Sequence, residues 1–140
     1  MREFLELLNA RGVEYVVVGA HSLAFHSRPR YTGDLDVLIR PSDSNAALFI
    51  ELLNEFGFGE SGFRLADFVE GDQVIQLGRS PNRIDVLTSL TGVTNADAFA
   101  EKVAAEIDGI PTFVLSKHHL IQNKRAVGRP RDIADLAELE

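Results

Sequence analysis

Residues 14–40 read EYVVVGAHSLAFHSRPRYTGDLDVLIR, and the alternation at the end of this stretch decides the fold. An apolar run, Tyr15-Val16-Val17-Val18, stops at Gly19. A short segment of helical character and an arginine-rich turn follow, and then Asp34 and Asp36 alternate with Leu35, Val37 and Ile39. Strand side chains alternate between faces, so the two acids share one face with roots about 6.5–7 Å apart, while Leu35, Val37 and Ile39 pack inward. Two carboxylates held that close repel each other unless cations or donors stand between them. A divalent metal is the economical explanation. In Arg83-Ile84-Asp85-Val86-Leu87 an acid again interrupts an apolar strand, and Asp85 supplies a third carboxylate. Taken alone, Asp85 also reads as an acid on the solvated face of an edge strand, or as a partner for Arg83.

Outward from this stretch the chain alternates helical and extended patterns. Phe4, Leu5, Leu7 and Leu8 form a helical stripe over residues 2–11, ended by Gly12. A buried strand over residues 14–19 runs into a helix directly after Gly19, and Pro29 and Gly33 punctuate a turn over residues 27–33. The second strand is expected over residues 34–39. Pro41-Ser42-Asp43 starts a helix, with Ser42 or Asp43 as its cap, whose apolar positions Leu48, Phe49, Leu52, Leu53 and Phe56 recur until Gly57. Residues 57–72, with mixed signals, read as a long loop or short hairpin. Strands follow at residues 74–77 and 83–88. A helix is expected from Thr94 or Asn95 through Phe99, Val103 and Ile107, then a short edge strand at residues 111–115. Ser116 caps the next helix, and Pro130 opens the last one with Asp132 in its first turn, facing the helix dipole. The order is mixed α and β.

At 140 residues the chain has room for one domain, spanning residues 1–140. Hydrophobic content of 45% and charged content of 25% are those of an ordinary globular protein. There is no cysteine, which excludes a disulfide framework or a thiolate metal site. No run approaches membrane-spanning length and no signal peptide opens the chain, so a cytoplasmic location is the default expectation. A net charge of −7 argues against a protein that coats nucleic acid. Its distribution says more: residues 109–131 contain no acid but hold Lys117, Lys124, Arg125, Arg129 and Arg131. Such a local basic segment suits a small polyanion, or the end of a larger one. His21, His26, His118 and His119 share no ligand spacing on one helix face, and read as surface or capping residues rather than zinc ligands.

Gly19, closing a strand ahead of a helix, lets backbone N–H groups approach phosphate oxygens, with His21 or Ser22 adding a donor. The plainer alternative is a tight turn with a capping serine. Arg28 and Arg30 precede the acids; a guanidinium there grips phosphate in two-pronged fashion, or relieves the acids through a salt bridge from Arg30 to Asp34 or Asp36. Gly19-Ala20, then Asp34-Leu35-Asp36, then an acid on a later strand resemble the nucleotidyltransferase superfamily of the DNA polymerase beta type. Arg30-x-Thr32-x-Asp34-x-Asp36, and the run from Asn123 to Asp132 with Asp135-Leu136 after it, are similar to its small bacterial branch, the toxin-type nucleotidyltransferases of abortive-infection systems.

The resemblance implies an α+β fold, a small mixed β-sheet flanked by helices. It implies Asp34, Asp36 and Asp85 as catalytic and metal-holding residues for Mg²⁺, as a pair of ions, with Mn²⁺ as a substitute. It places Gly19, Ala20, His21, Ser22, Arg30, Lys124 and Arg129 at the nucleotide. The expected partners are a nucleoside triphosphate, an acceptor hydroxyl on RNA (such as a tRNA 3′ end) or on protein, and a cognate antitoxin. A small-molecule acceptor, as in antibiotic-modifying relatives, stays open. The family usually carries Gly-Gly or Gly-Ser where this chain has Gly19-Ala20, which keeps a second reading open: a nucleotide-binding module of a two-component system with turnover lost.

Overall fold

Four consecutive apolar residues in a strand need both faces of their sheet covered. The computed structural model, which describes residues 1–28, 33–79 and 82–140, places Tyr15–Val18 (β1) inside a six-stranded sheet with helices on both sides. The other strands are β2 (Leu35–Ile39), β3 (Val74–Leu77), β4 (Ile84–Leu87), β5 (Val103–Ile107) and β6 (Ile110–Val114). Their spatial order is β3-β4-β2-β1-β6-β5. The sheet is mixed: β1 runs antiparallel to β2 and parallel to β6, and β2 runs parallel to β4.

Side-chain alternation divides the core in two. Tyr15, Val17, Leu35, Val37, Ile39 and Val86 pack on one face against α1 (Arg2–Ala10), α3 (Asp43–Leu53) and α4 (Leu65–Val69), through residues such as Phe4, Leu8, Phe49 and Phe68. Val16, Val18 and Leu38 point the other way and meet α2 (Gly19–His26), α5 (Asn95–Ala100), α6 (Lys117–Val127) and α7 (Pro130–Leu139), through Leu23, Phe99, Leu120 and Leu139. Asp36 therefore lies on the second face, in phase with Leu38.

Three expectations change. The helix expected to run through Ile107 stops at Ala100, and residues 103–107 form β5, paired with β6. Phe99, Val103 and Ile107 are four apart, a spacing that satisfies a helix and a strand alike, since four is a multiple of two. The deciding signal is Asp108-Gly109, whose φ angles of +52° and +79° make the tight two-residue hairpin turn that ends β5. Because β5 takes the edge, β6 is interior, flanked by β1 and β5. Residues 57–72 form no hairpin; after a π-helical and a 3₁₀ turn, Leu65–Val69 is a helix whose first turn is closed by Asp67 accepting from the Arg64 N–H at 2.8 Å.

One buried polar side chain ties this frame together. Asn45 of α3 accepts from the Glu14 N–H at 2.7 Å and donates to the carbonyls of Glu14 at 2.9 Å and Arg40 at 3.0 Å. It thus ties the start of β1 to the end of β2. Replacing Asn45 by Ala leaves the Glu14 N–H without its partner and takes one of two donors from each carbonyl, so stability in urea should fall by about 1–3 kcal/mol. A loss below about 1 kcal/mol would show that water takes over all three.

Candidate active site

The parallel pairing of β2 and β4 puts Asp36 directly opposite Asp85, and the antiparallel pairing of β1 and β2 puts Val18 opposite Asp36. The chain leaves β1 one residue later, at Gly19, with φ of +64°. A Cβ on Gly19 would lie 2.2 Å from Asp36 Oδ2. Glycine is thus required twice, by backbone conformation and by the carboxylate packed against it. The result is a bare backbone turn over an acid.

That acid is in an unfavourable place. Burial raises the pKa of Asp36 to about 6, and the neighbouring charge and hydrogen bond of Asp85 push it the same way, with a further contribution from Asp34. Arg83 opposes the shift. It sits two residues before Asp85 on the same face, and its Nε and Nη2 donate to the two Asp85 oxygens at 2.8 and 3.1 Å. Its Nη2 also lies 3.7 Å from Asp34 Oδ2, and its backbone N–H donates to Asp34 Oδ1 at 3.1 Å. Arg83 is the partner considered for Asp85, and it reaches Asp34 as well; Arg30, and with it the ion pair considered for that residue, lies outside the described residues. Among the described residues, Arg83 is the guanidinium within ion-pairing distance of these carboxylates, and the net effect on Asp36 is still to hold its proton. An all-oxygen donor set with a surplus of negative charge fits a hard divalent cation such as Mg²⁺.

Beside the acids opens a cleft of about 470 Å³. Gly19, Asp36 and Asp85 lie on one side, with Asn123, Arg129 and Arg131 also on its walls. The loop after β4 fixes α6 in position. Gly92, at φ +79°, lets that loop approach so closely that a Cβ would lie 2.5 Å from the Ala126 Cβ. Gln122 Nε2 donates to the Gly92 carbonyl, and Asn123 Nδ2 to the Thr91 carbonyl at 2.8 Å.

The remaining expected site residues divide. Arg129 borders the cleft, yet its guanidinium clamps Asp132, with Nε to Oδ2 at 2.7 Å and Nη2 to Oδ1 at 3.2 Å. This pairing is the main cause that lowers the Asp132 carboxyl to about 2. Lys124 does not line the cleft. It is buried at the α6–α7 junction, 3.4 Å from Asp132 Oδ1 and 3.0 Å from Asp135 Oδ2. Arg125 pairs with Glu140, so much of the basic run is neutralised internally. Ser22 is buried, its Oγ donating to the Gly19 carbonyl at 2.9 Å, which is the turn-closing alternative. Neither exposed Ala20 nor His21 lines the cleft; burial lowers the pKa of His21, whose Nε2 is buried without a hydrogen-bond partner among the described residues. Arg28 sits 3.7 Å from Glu138. Asn123 and Arg131 are lining residues beyond the expected set, and both belong to the basic run that marked this end of the chain.

A mixed sheet presenting an acidic pair beneath the turn that leaves β1 has the fold of the nucleotidyltransferases. The chain is similar to a solved structure of a presumed nucleotidyltransferase from Thermotoga maritima, with TM-score 0.62, 19% identity, and coverage of 97% of this chain and 87% of that one. It is similar also to ANT(2″)-Ia, solved in complex with adenylyl-2″-tobramycin, with TM-score 0.59, 13% identity, and coverage of 99% and 84%. At these identities the likeness is one of fold. No family profile and no curated protein matches the chain.

The raised pKa of Asp36 gives a stability signature. Its ordinary value is 3.8, so the favourable contribution of the protonated form is complete below pH 4 and lost as pH rises through about 6. With metal chelated, Asp36→Asn should therefore be more stable than the parent at pH 8, by about 1–2 kcal/mol after allowance for partial solvent access. The gain should shrink below pH 5. Urea melts at both pH values check this, and a destabilised variant at pH 8 would show Asp36 to be a structural acid.

Proposed function

We propose that this chain is a nucleotidyltransferase, moving a nucleoside monophosphate from a nucleoside triphosphate to an acceptor hydroxyl with release of pyrophosphate. The observation that carries this reading is the in-register opposition of Asp36 and Asp85 under the Gly19 turn, at the mouth of a cleft bordered by Arg129 and Arg131. Asp34, Asp36 and Asp85 are the residues that would hold Mg²⁺, or Mn²⁺ in its place. The bound cation would neutralise triphosphate charge and make the acceptor hydroxyl more acidic.

The chain's own residues supply positioning. The turn at Gly19 offers backbone to the phosphates without a side chain in the way. Ser22 serves that turn from within, by closing it on the Gly19 carbonyl. Arg131 supplies positive charge at the cleft wall, where Arg129 also stands, paired with Asp132. Lys124 acts indirectly: with Asp132 it fixes the junction that carries Arg129. Arg83 has a switching part, because the Asp85 oxygens it grips are those a cation needs.

The acceptor is an RNA 3′ hydroxyl or a protein hydroxyl, as expected for a cytoplasmic toxin held in check by a cognate antitoxin. ANT(2″)-Ia, bound to an adenylylated aminoglycoside, makes a small-molecule hydroxyl the alternative acceptor. A second reading, a nucleotide-binding module without turnover, draws on the Arg83 clamp, which leaves Asp85 paired before any ligand arrives.

Incubation with each labelled nucleoside triphosphate, Mg²⁺ and, separately, total RNA, total protein or an aminoglycoside separates these readings. Label in one acceptor pool, with pyrophosphate released, is the expected result. Asp85→Asn should lower that transfer at least about 100-fold while leaving the melting profile cooperative. Nucleotide binding without transfer in any pool would favour the binding module, and neither binding nor transfer would reject both.

A further inference from the structure

Away from the cleft, the structure brings together three side chains that sequence spacing kept apart. Glu101 follows α5, and His118 and His119 are the second and third residues of α6. Adjacent residues on a helix point about 100° apart, yet here both imidazoles turn toward one carboxylate oxygen. His119 Nε2 lies 3.3 Å from Glu101 Oε2, His118 Nε2 lies 3.7 Å from the same atom, and the ring centroids are 4.0 Å apart. One potential ligand atom from each residue falls within 4.8 Å of the others.

These separations are longer than N–H···O hydrogen bonds, which cluster near 2.9–3.0 Å. The 3.3 Å separation matches the edge of a coordination tetrahedron, since metal–ligand bonds of about 2.0–2.1 Å set neighbouring ligand atoms about 3.3–3.4 Å apart, and the 3.7 Å one exceeds that edge by a few tenths of an ångström. The second observation is His119 itself. Its side chain is only 4% exposed, and its Nδ1 is buried without a hydrogen-bond partner among the described residues. An ion held at Nε2, the nitrogen 3.3 Å from Glu101 Oε2, would fix the ring's tautomer with its proton on Nδ1. His118 is largely exposed, with its Nδ1 3.5 Å from Ser116 Oγ, so it can swing the last few tenths of an ångström.

We propose that Glu101, His118 and His119 form a binding site for Zn²⁺ or a like borderline divalent ion. Two nitrogens and one carboxylate oxygen select such ions over Mg²⁺, which prefers oxygen alone. Three protein ligands leave the fourth position to water or an anion. None of the three residues lines the cleft, so the site is separate from the aspartates. Its place in the fold gives it a role: the ion staples the connection between α5 and β5 to the first turn of α6, the helix whose later residue Asn123 lines the cleft. The proposal departs from the reading of His118 and His119 as surface or capping residues, a reading that looked for ligands on one helix, whereas the third donor comes from another element.

The test is a Co²⁺ titration of the full chain in excess Mg²⁺, reading the visible band of tetrahedral cobalt, with Zn²⁺ then added to displace it. The site predicts one equivalent of tetrahedral Co²⁺, displaced by one equivalent of Zn²⁺. His118→Ala, which removes an exposed side chain, should weaken binding by about tenfold or more, and Glu101→Gln should do likewise. Asp85→Asn should leave the band intact. Absence of a tetrahedral band, a band that survives His118→Ala unchanged, or one abolished by Asp85→Asn would each overturn the proposal.

Discussion

Asp36 and Asp85 face each other across the centre of a sheet whose both sides are covered, and the rest of the structure accommodates that repulsion. Register alone imposes it, because parallel pairing of β2 and β4 sets Leu35 opposite Ile84 and therefore Asp36 opposite Asp85. The apolar neighbours of these acids fill the opposite face, so slipping the register to separate the charges would turn that apolar set outward. The chain answers in three ways. Asp36 retains a proton up to about pH 6, Arg83 grips Asp85, and Gly19 removes every side-chain atom from the space above. Each answer is one that a cation would displace or use.

A second electrostatic centre supports the first from the other end of the chain. Lys124, Arg129, Asp132 and Asp135 knot α6 to α7, with Asp132 almost wholly covered. Paired charges of this kind contribute modest net stability, but breaking one partner leaves the other uncompensated. The knot therefore fixes orientation, and it holds Arg129 at the cleft wall. Gly92 does the matching work on the loop side, allowing that loop to dock against Ala126 of α6.

Much of this was legible in the residues. The period-two placement of Asp36 against Leu35, Val37 and Ile39 put that acid on the face away from the apolar set, and the interrupted strand at Asp85 pointed to its partner. The cap at Ser42, the turn at Gly19 and the opening of the last helix at Pro130 are local signals, and they read correctly because they depend on near neighbours. What failed depended on distance or on an ambiguous period. The spacing of Phe99, Val103 and Ile107 fits helix and strand equally. Lys124 looked available for a polyanion because Asp132 and Asp135, eight and eleven positions later, fold back on it only in three dimensions. The convergence of Glu101 on His118 and His119 is likewise invisible along the chain.

The central claim is that the acidic pair is held in a state that a cation would relieve, and the ionisation of Asp36 reports on it directly. Carboxyl ¹³C chemical shifts followed against pH in the metal-free protein should show one aspartate titrating near pH 6, absent in Asp36→Asn. Its midpoint should fall when Mg²⁺ is added, as the cation favours the ionised form. An Asp36 that titrates near pH 4 and ignores Mg²⁺ would contradict the account.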